Sequence, residues 1–147
     1  MMLEMTLDTT KFAKAIGKMQ KESSKETKQA LAKVALKIEG DAKYNIQTGA
    51  RTGRIYKRGS KTHQASSKGE FPKTDTGELV SNITSEFSFS GMEVTVGSRA
   101  SAPQGFLLEF GTSKIAARPW LFPTVQSNKK FMQKTFANAL SDIVRKK

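Results

Sequence analysis

The residue types that most often carry catalysis or bind metals are scarce in this chain. It contains one histidine, His63, and no cysteine. A zinc-type site needs three or four converging nitrogen, sulfur or oxygen ligands, so His63 is expected to be a solvated residue. Glu109 could form a carboxylate pair with Asp75 or Glu78, but the spacing does not favour one. We therefore predict no catalytic residue, no metal site and no cofactor.

Nucleotide-binding motifs are equally weak. The segment TGARTGR, residues 48–54, has closely spaced glycines, but no strand precedes it and it forms no convincing phosphate cradle. The sequence therefore favours a binding or structural protein over an enzyme.

The charge of the chain is the strongest compositional signal. Its 25 Lys and Arg outnumber 13 Asp and Glu, which gives a net charge of +12. Such an excess indicates nucleic acid or an assembly with acidic surfaces as a neighbour, although solvated lysines are an alternative explanation. No apolar run is long enough to cross a membrane, and the N-terminus lacks a signal-peptide pattern. We expect synthesis in the cytoplasm, which suits a chain without cysteine.

The length of 147 residues suits one domain, residues 1–147, and its first element is a helix. Residues 10–44 have apolar positions at helical spacing, and Asp8 or Thr9 can cap the start. The stretch KESSKETK is either a break or an exposed turn of one long helix; we favour the long helix, best buried over residues 31–46. Nine lysines and four acids lie between Lys11 and Lys43. We favour the interpretation that these lysines form a solvated face of the helix rather than a binding stripe. The apolar stripe comprises Phe12, Ile16, Met19, Ser23, Leu31, Val34, Ile38 and Ala42.

Residues 48–73 are predicted to form a long loop or an extended two-stranded arm, poorly ordered in the free chain. Gly and Pro interrupt this segment, and its seven basic residues and one acid supply half of the net charge. An arm of this kind can reach a neighbouring subunit or an anionic surface. The candidate residues for a subunit interface or for contact with DNA are Arg51, Arg54, Lys57, Arg58, Lys61 and Lys68.

The second half of the chain alternates strand and helix patterns. Residues 74–83 predict a short helix capped by Asp75 or Thr76. Residues 85–98 predict a hairpin around Ser90-Gly91, which pairs 89 with 92, 87 with 94 and 85 with 96, with one apolar face under the long helix. FLLEF, residues 106–110, is a short buried strand or helical turn. A final helix starts near Pro119 or Pro123, with an apolar stripe of Met132, Phe136, Ala139, Leu140 and Ile143. The predicted fold class is α+β, with two main helices on a small antiparallel sheet.

The corner at residues 109–123 combines an acid, an arginine, two prolines and three aromatic residues. Glu109 either lies on an exposed face or pairs with Arg118, since arginine suits bidentate carboxylate pairing. Arg118 is expected to be structural or interfacial. Pro119, Trp120 and Pro123 should lock the last helix against the sheet.

This corner and the segment upstream resemble the neck or tail-completion family of lambdoid siphophages over roughly residues 30–145. The strand end at residues 96–98 also fits, as does the order of elements. This chain departs from the family pattern at Ser81 and Asn82, which shift a serine by one, and at Trp120, where phenylalanine is more usual. The matching motif residues are Thr76, Gly77, Leu79, Asn82, Ile83, Phe106, Glu109, Phe110, Gly111, Thr112, Ala117, Arg118, Pro119, Trp120, Leu121 and Pro123.

The resemblance implies a structural protein of the virion without catalysis. Such proteins resemble the ring-forming components of the head–tail junction, so the resemblance implies a ring, with sixfold symmetry as the expectation, between head-closure and tail-terminator or tail-tube proteins. The basic charge could then tolerate packaged DNA without reading its sequence. Two alternatives remain open at this point: a tail-terminator ring that caps the tail tube, and a free basic nucleic-acid-binding protein.

Overall fold

One long helix dominates the architecture. The computed structural model describes residues 10–146, without the side chains of Phe12 and Ala13, and helix α1 spans Thr10–Thr48. The predicted caps Asp8 and Thr9 lie outside the described residues. KESSKETK is helical throughout, so the prediction of one unbroken helix is confirmed. At 1.5 Å per residue, α1 is about 58 Å long.

The C-terminal half of α1 supplies much of the core. Its apolar residues follow the helical period and are buried, whereas Ile16 and Met19 near the N-terminal end are exposed. The prediction that residues 31–46 are the best-buried half is therefore confirmed. The buried residues of this half are Val34, Ala35, Ile38, Ala42 and Ile46.

The basic segment forms an antiparallel hairpin, so the two-stranded arm, rather than the long loop, is the predicted alternative that the structure contains. Strand β1 (Ile55–Arg58) pairs with β2 (Lys61–Gln64), from Ile55 opposite Gln64 to Arg58 opposite Lys61. Gly59 takes a φ of 62° in the connecting turn, a conformation that glycine adopts without strain. At the base, the backbone N–H of Gly53 donates to the carbonyl of Ala65 at 2.8 Å.

A short helix and a second hairpin follow. Helix α2 spans Glu78–Asn82, and strand β3 (Ile83–Phe87) pairs with β4 (Val94–Ser98). The register places Phe87 opposite Val94 and Ser85 opposite Val96, as predicted. The two hairpins are separate two-stranded sheets rather than one sheet.

The predicted pairing of Phe89 with Met92 is wrong, and so is the prediction that Phe89 joins the covered face. The strands end at Phe87 and Val94, and Phe89 is fully exposed in the loop between them. Hydroxyl groups of the loop explain the early end, because Ser88 Oγ accepts from the backbone N–H of Glu93 at 3.2 Å. Such side-chain bonds compete with the ladder of a hairpin.

Three helices complete the chain. Helix α3 spans Gln104–Phe110, which settles FLLEF as helical, and α4 (Leu121–Ser127) precedes α5 (Lys129–Arg145). The predicted single final helix is therefore wrong, because the helix is interrupted at Asn128. The side chain of Asn128 explains the break: its amide donates to Asp41 on α1 at 2.8 Å and to the carbonyl of Thr124 at 3.0 Å.

Helix α5 packs along α1, and the ion pair between Lys146 and Glu26 ties its end to that helix. Its predicted stripe is partly buried except for Leu140, which is exposed. The central core cluster joins α1, α2, β3 and the start of α4 through Ala42, Ile46, Leu79, Ile83 and Trp120. The α+β class predicted from the sequence is confirmed.

Candidate functional site

Glu109 holds the junction between α3 and α4. Its carboxylate accepts hydrogen bonds from the backbone N–H groups of Trp120 at 2.7 Å, Leu121 at 2.9 Å and Phe122 at 2.9 Å. The cap residue of α4 offers no side-chain bond of its own, so Glu109 satisfies the free N–H groups that every helix start leaves. Its negative charge also lies at the favourable end of the helix dipole.

The predicted pairing of Glu109 with Arg118 is therefore wrong, and so is the exposed-face alternative. The ion pairs formed within residues 10–146 do not include this pair. The carboxylate of Glu109 instead points to the start of α4, where its two oxygens accept three backbone N–H groups.

Trp120 anchors the corner in the hydrophobic core. Its side chain is 2% exposed, and its indole N–H donates to the carbonyl of Gly105 on α3 at 2.9 Å. A Cβ at Gly105 would lie 2.2 Å from Ser98 Oγ on β4, so only glycine lets α3 pack this closely. Pro123 sits in the first turn of α4, where its missing N–H loses no helical bond. The corner thus locks α3 to α4, and Pro119 leads into it.

The Gly-Thr link after α3 is built for a tight reversal. Gly111 has a φ of 74°, and its N–H closes α3 by donating to the carbonyl of Leu107 at 2.8 Å. The hydroxyl of Thr112 accepts from the backbone N–H groups of Lys114 at 3.2 Å and Ile115 at 3.0 Å. Gly111 and Thr112 therefore shape the link rather than present a ligand.

The Thr-Gly-x-Leu element has the same structural character. Gly77, with a φ of 79°, precedes α2, and its N–H donates to Thr74 Oγ1 at 3.0 Å, while Leu79 is buried in the core cluster. Asp75 is not the predicted cap, because its carboxylate binds Arg58 of the arm at 2.7 Å. Thr76 Oγ1 accepts only a long bond, 3.4 Å, from the N–H of Glu78.

Arg118 lies half-buried between the corner and the arm. Its backbone N–H donates to the carbonyl of Leu108 at 2.7 Å, while its buried Nε has no hydrogen-bond partner. The hydroxyl of Thr52 is the main group that lowers the pKa of Glu70, and the N–H of Ser67 and the charge of Arg118 add to the effect. Arg118 therefore contributes its charge to a network at the base of the arm.

The arm presents apolar as well as basic side chains. Ile55 and Tyr56 are exposed on β1. His63 is not the solvated residue that the sequence predicts, because its side chain is 15% exposed, tilts against Tyr56 at 5.2 Å between ring centroids, and lies 3.5 Å from Asp75 Oδ1. All six predicted basic residues, Arg51, Arg54, Lys57, Arg58, Lys61 and Lys68, are exposed.

A patch of phenylalanines covers the outside of the locked corner. Phe106, Phe110 and Phe122 are 66%, 69% and 64% exposed, and the first two rings touch with 4.9 Å between centroids. These three residues, called the aromatic patch from here on, surround a groove of about 440 Å³ whose walls include Trp120 and Gly97 of β4. The sequence predicted that FLLEF, residues 106–110, is buried. Because α3 is a helix that packs only one side against the core, Phe106 and Phe110 are exposed instead.

Within residues 10–146 no three His, Cys, Asp or Glu side chains converge in a way that could hold a metal ion. Nor does any helix in that range have the length and apolar character needed to cross a membrane.

The fold and its surfaces define a small α+β protein with a rigid aromatic corner and a basic arm. The family model described as "Bacteriophage HK97-gp10, putative tail-component" matches residues 10–111, so the chain belongs to this family. The match confirms the phage resemblance and ends at Gly111, before the Arg-Pro part of the corner. Among curated proteins and solved structures, none matches the chain. Membership gives the chain a structural role in a phage tail and a place in the virion.

Proposed function

We propose that the protein forms a ring at the head–tail junction, connects the head-closure complex to the tail, and surrounds the path of the DNA. The observation that carries this proposal is the aromatic patch. Three phenylalanines, each about two-thirds exposed, are held on a corner that Glu109 and Trp120 keep rigid. Contiguous exposed apolar surface of this kind marks protein interfaces, and aromatic anchors on rigid elements dominate binding energy.

The arm supports the same proposal from another part of the surface. Its exposed Ile55 and Tyr56 share no residue with the aromatic patch, so a contact between the arm of one subunit and the patch of the next would be heterologous. Heterologous contacts that close generate rings. A sixfold ring, with head-closure and tail proteins as its neighbours, is the form we propose.

The test replaces Phe110 by serine, with Phe89→Ser as the matched control. Both phenylalanines are exposed, so neither change should unfold the chain, but only Phe110 belongs to the aromatic patch. A phage that lacks this gene is complemented with each variant, and complete particles are counted. We expect Phe110→Ser to abolish joining of heads to tails and Phe89→Ser to support it. Normal particles with Phe110→Ser would contradict the role of the patch.

In solution, sedimentation velocity across a salt series gives a second measurement. Because the charge of +12 opposes self-association at low salt, raising the salt should favour the oligomer of the wild-type chain. Phe110→Ser should stay monomeric across the series.

A further inference from the structure

Six lysines form a continuous stripe along the first half of α1. They are Lys11, Lys14, Lys18, Lys21, Lys25 and Lys28, and all six are exposed. Their spacing alternates between three and four residues. At 100° per residue, they occupy an arc of about 100°, turned roughly 130° away from the buried Ile38. No other residue between Lys11 and Lys28 falls within that arc.

The stripe lysines differ from Lys37 and Lys43 of the same helix in their ion pairing. Lys37 pairs with Asp41 and Lys43 pairs with Glu39, while Lys33 lies over the ring of Phe131. In the described part of the chain, none of the six stripe lysines takes part in an ion pair. Glu22 and Glu26, the acids of these turns, lie outside the arc, and Glu26 is bound by Lys146. The stripe therefore presents six positive charges, half of the net charge of the chain.

The length and composition of the stripe fit a nucleic-acid backbone better than a protein. From Lys11 to Lys28 it rises about 25 Å along a straight axis. Duplex DNA carries one negative charge per about 1.7 Å of its axis, so several phosphates lie within reach along that length. Protein interfaces need an apolar centre and are depleted in lysine, whereas the arc contains lysine alone. Lysines that contact phosphates hold DNA without reading its sequence.

We infer that the lysine stripe of α1, rather than the basic arm, is the surface that contacts the backbone of duplex DNA. The inference rests on the proposed function for its place in the virion, where the stripe would face the DNA path. Binding of DNA by the isolated chain can nevertheless be measured without a ring. The arm is then free to contact a neighbouring subunit through Ile55 and Tyr56.

The salt dependence of binding carries the test, because each phosphate contact releases counterions. With six contacts, the slope of log K against log salt is about −5, and affinity falls on the order of 10³-fold between about 50 and 200 mM KCl. Removing four contacts should reduce the magnitude of the slope by about 3.6.

Three variants of the full chain, each with four fewer positive charges, separate the alternatives. The stripe variant carries Lys14→Gln, Lys18→Gln, Lys21→Gln and Lys25→Gln. The arm variant carries Arg54→Gln, Lys57→Gln, Lys61→Gln and Lys68→Gln. The control carries Lys114→Gln, Lys129→Gln, Lys130→Gln and Lys134→Gln, all exposed residues outside both surfaces. Fluorescence anisotropy with a labelled duplex of about 30 base pairs gives each slope, and circular dichroism verifies the helix content.

The stripe variant alone should lose most of the salt dependence. Equal losses in all three variants would show diffuse attraction and overturn the inference, as would a larger loss in the arm variant or no binding by the wild-type chain. If the stripe variant binds DNA normally yet is excluded from virions, the partner of the stripe is an acidic protein surface instead. If the protein forms a ring but the stripe variant keeps its salt dependence, only this inference is contradicted. If the stripe variant loses its salt dependence but no ring forms, only the proposed function is contradicted.

Discussion

Replacing Glu109 by alanine tests how the corner is held. The change removes a charged acceptor from three backbone N–H groups at 2.7 to 2.9 Å. Loss of a helix cap costs about 0.5–2 kcal/mol, and loss of the favourable dipole interaction adds about 0.3–1 kcal/mol. Part-buried N–H groups without a partner add a further penalty of about 1 kcal/mol. The free energy of unfolding should therefore fall by about 2–4 kcal/mol.

Urea unfolding followed by fluorescence is the assay, since the chain has one tryptophan, Trp120, and it lies in this corner. With an m-value of about 2 kcal/mol per M, the midpoint should shift by about 1–2 M at constant m. Glu109→Gln should cost about half as much, because the amide oxygen can still accept a hydrogen bond. Glu93→Ala, at an exposed acid in the β3–β4 loop, is the control and should stay within about 0.5 kcal/mol.

Two results would refute this reasoning. The first is a Glu109→Ala variant within about 0.5 kcal/mol of the wild type. The second is a double-mutant cycle with Arg118→Ala in which the coupling energy exceeds about 1 kcal/mol, because independent residues are expected to be additive. Strong coupling would restore the ion pair that the structure does not contain.

Three further predictions concern stability and exchange. Gly40→Ala should stabilise the chain by up to about 1 kcal/mol, since a Cβ there meets nothing within 4 Å. Gly105→Ala should destabilise the chain by about 1–3 kcal/mol, because a Cβ there would collide with Ser98. Equal effects of the two changes in thermal unfolding would be inconsistent with the packing. The hydrogen bond from Lys43, with help from Ser85, holds the pKa of Glu39 below its ordinary value of 4.5. The stabilisation by Glu39 is therefore present above that pH and is lost as the pH falls through the lower folded pKa. In urea titrations at a series of pH values, Glu39→Gln should lose less stability at acid pH than the wild type, and an equal loss would count against this prediction. In hydrogen exchange on the free chain, residues 55–64 should exchange fast, and strong protection of that hairpin would contradict a mobile arm.

Patterns with local causes were predictable from the sequence. The period of α1 and the alternation of the β3–β4 hairpin each depend on neighbours within a few residues. The continuity of α1 and the pairing of Phe87 with Val94 could therefore be predicted correctly, although α1 ends at Thr48 rather than near Tyr44. The hydroxyl groups that end the strands before Phe89 are also local, but alternation in the hydrophobic pattern concealed them.

Features with distant causes were missed. The acceptor that caps α4 lies 11 to 13 residues before the N–H groups it binds, so no local capping signal marks it. The break at Asn128 depends on Asp41, 87 residues away. His63 is shielded by Tyr56 across the hairpin and by Asp75 beyond it. Glu109 lies inside α3, one residue before its end, so it could have suggested a cap for α4 only once both helices were known.

A cryo-EM reconstruction of the head–tail junction tests the central claim most directly. The account predicts a closed ring of this chain between the head-closure complex and the tail, with the aromatic patch at the contact between subunits and the lysine stripe of α1 towards the DNA. A single copy at the junction, no copy, or a ring found only at the end of the tail tube would contradict it.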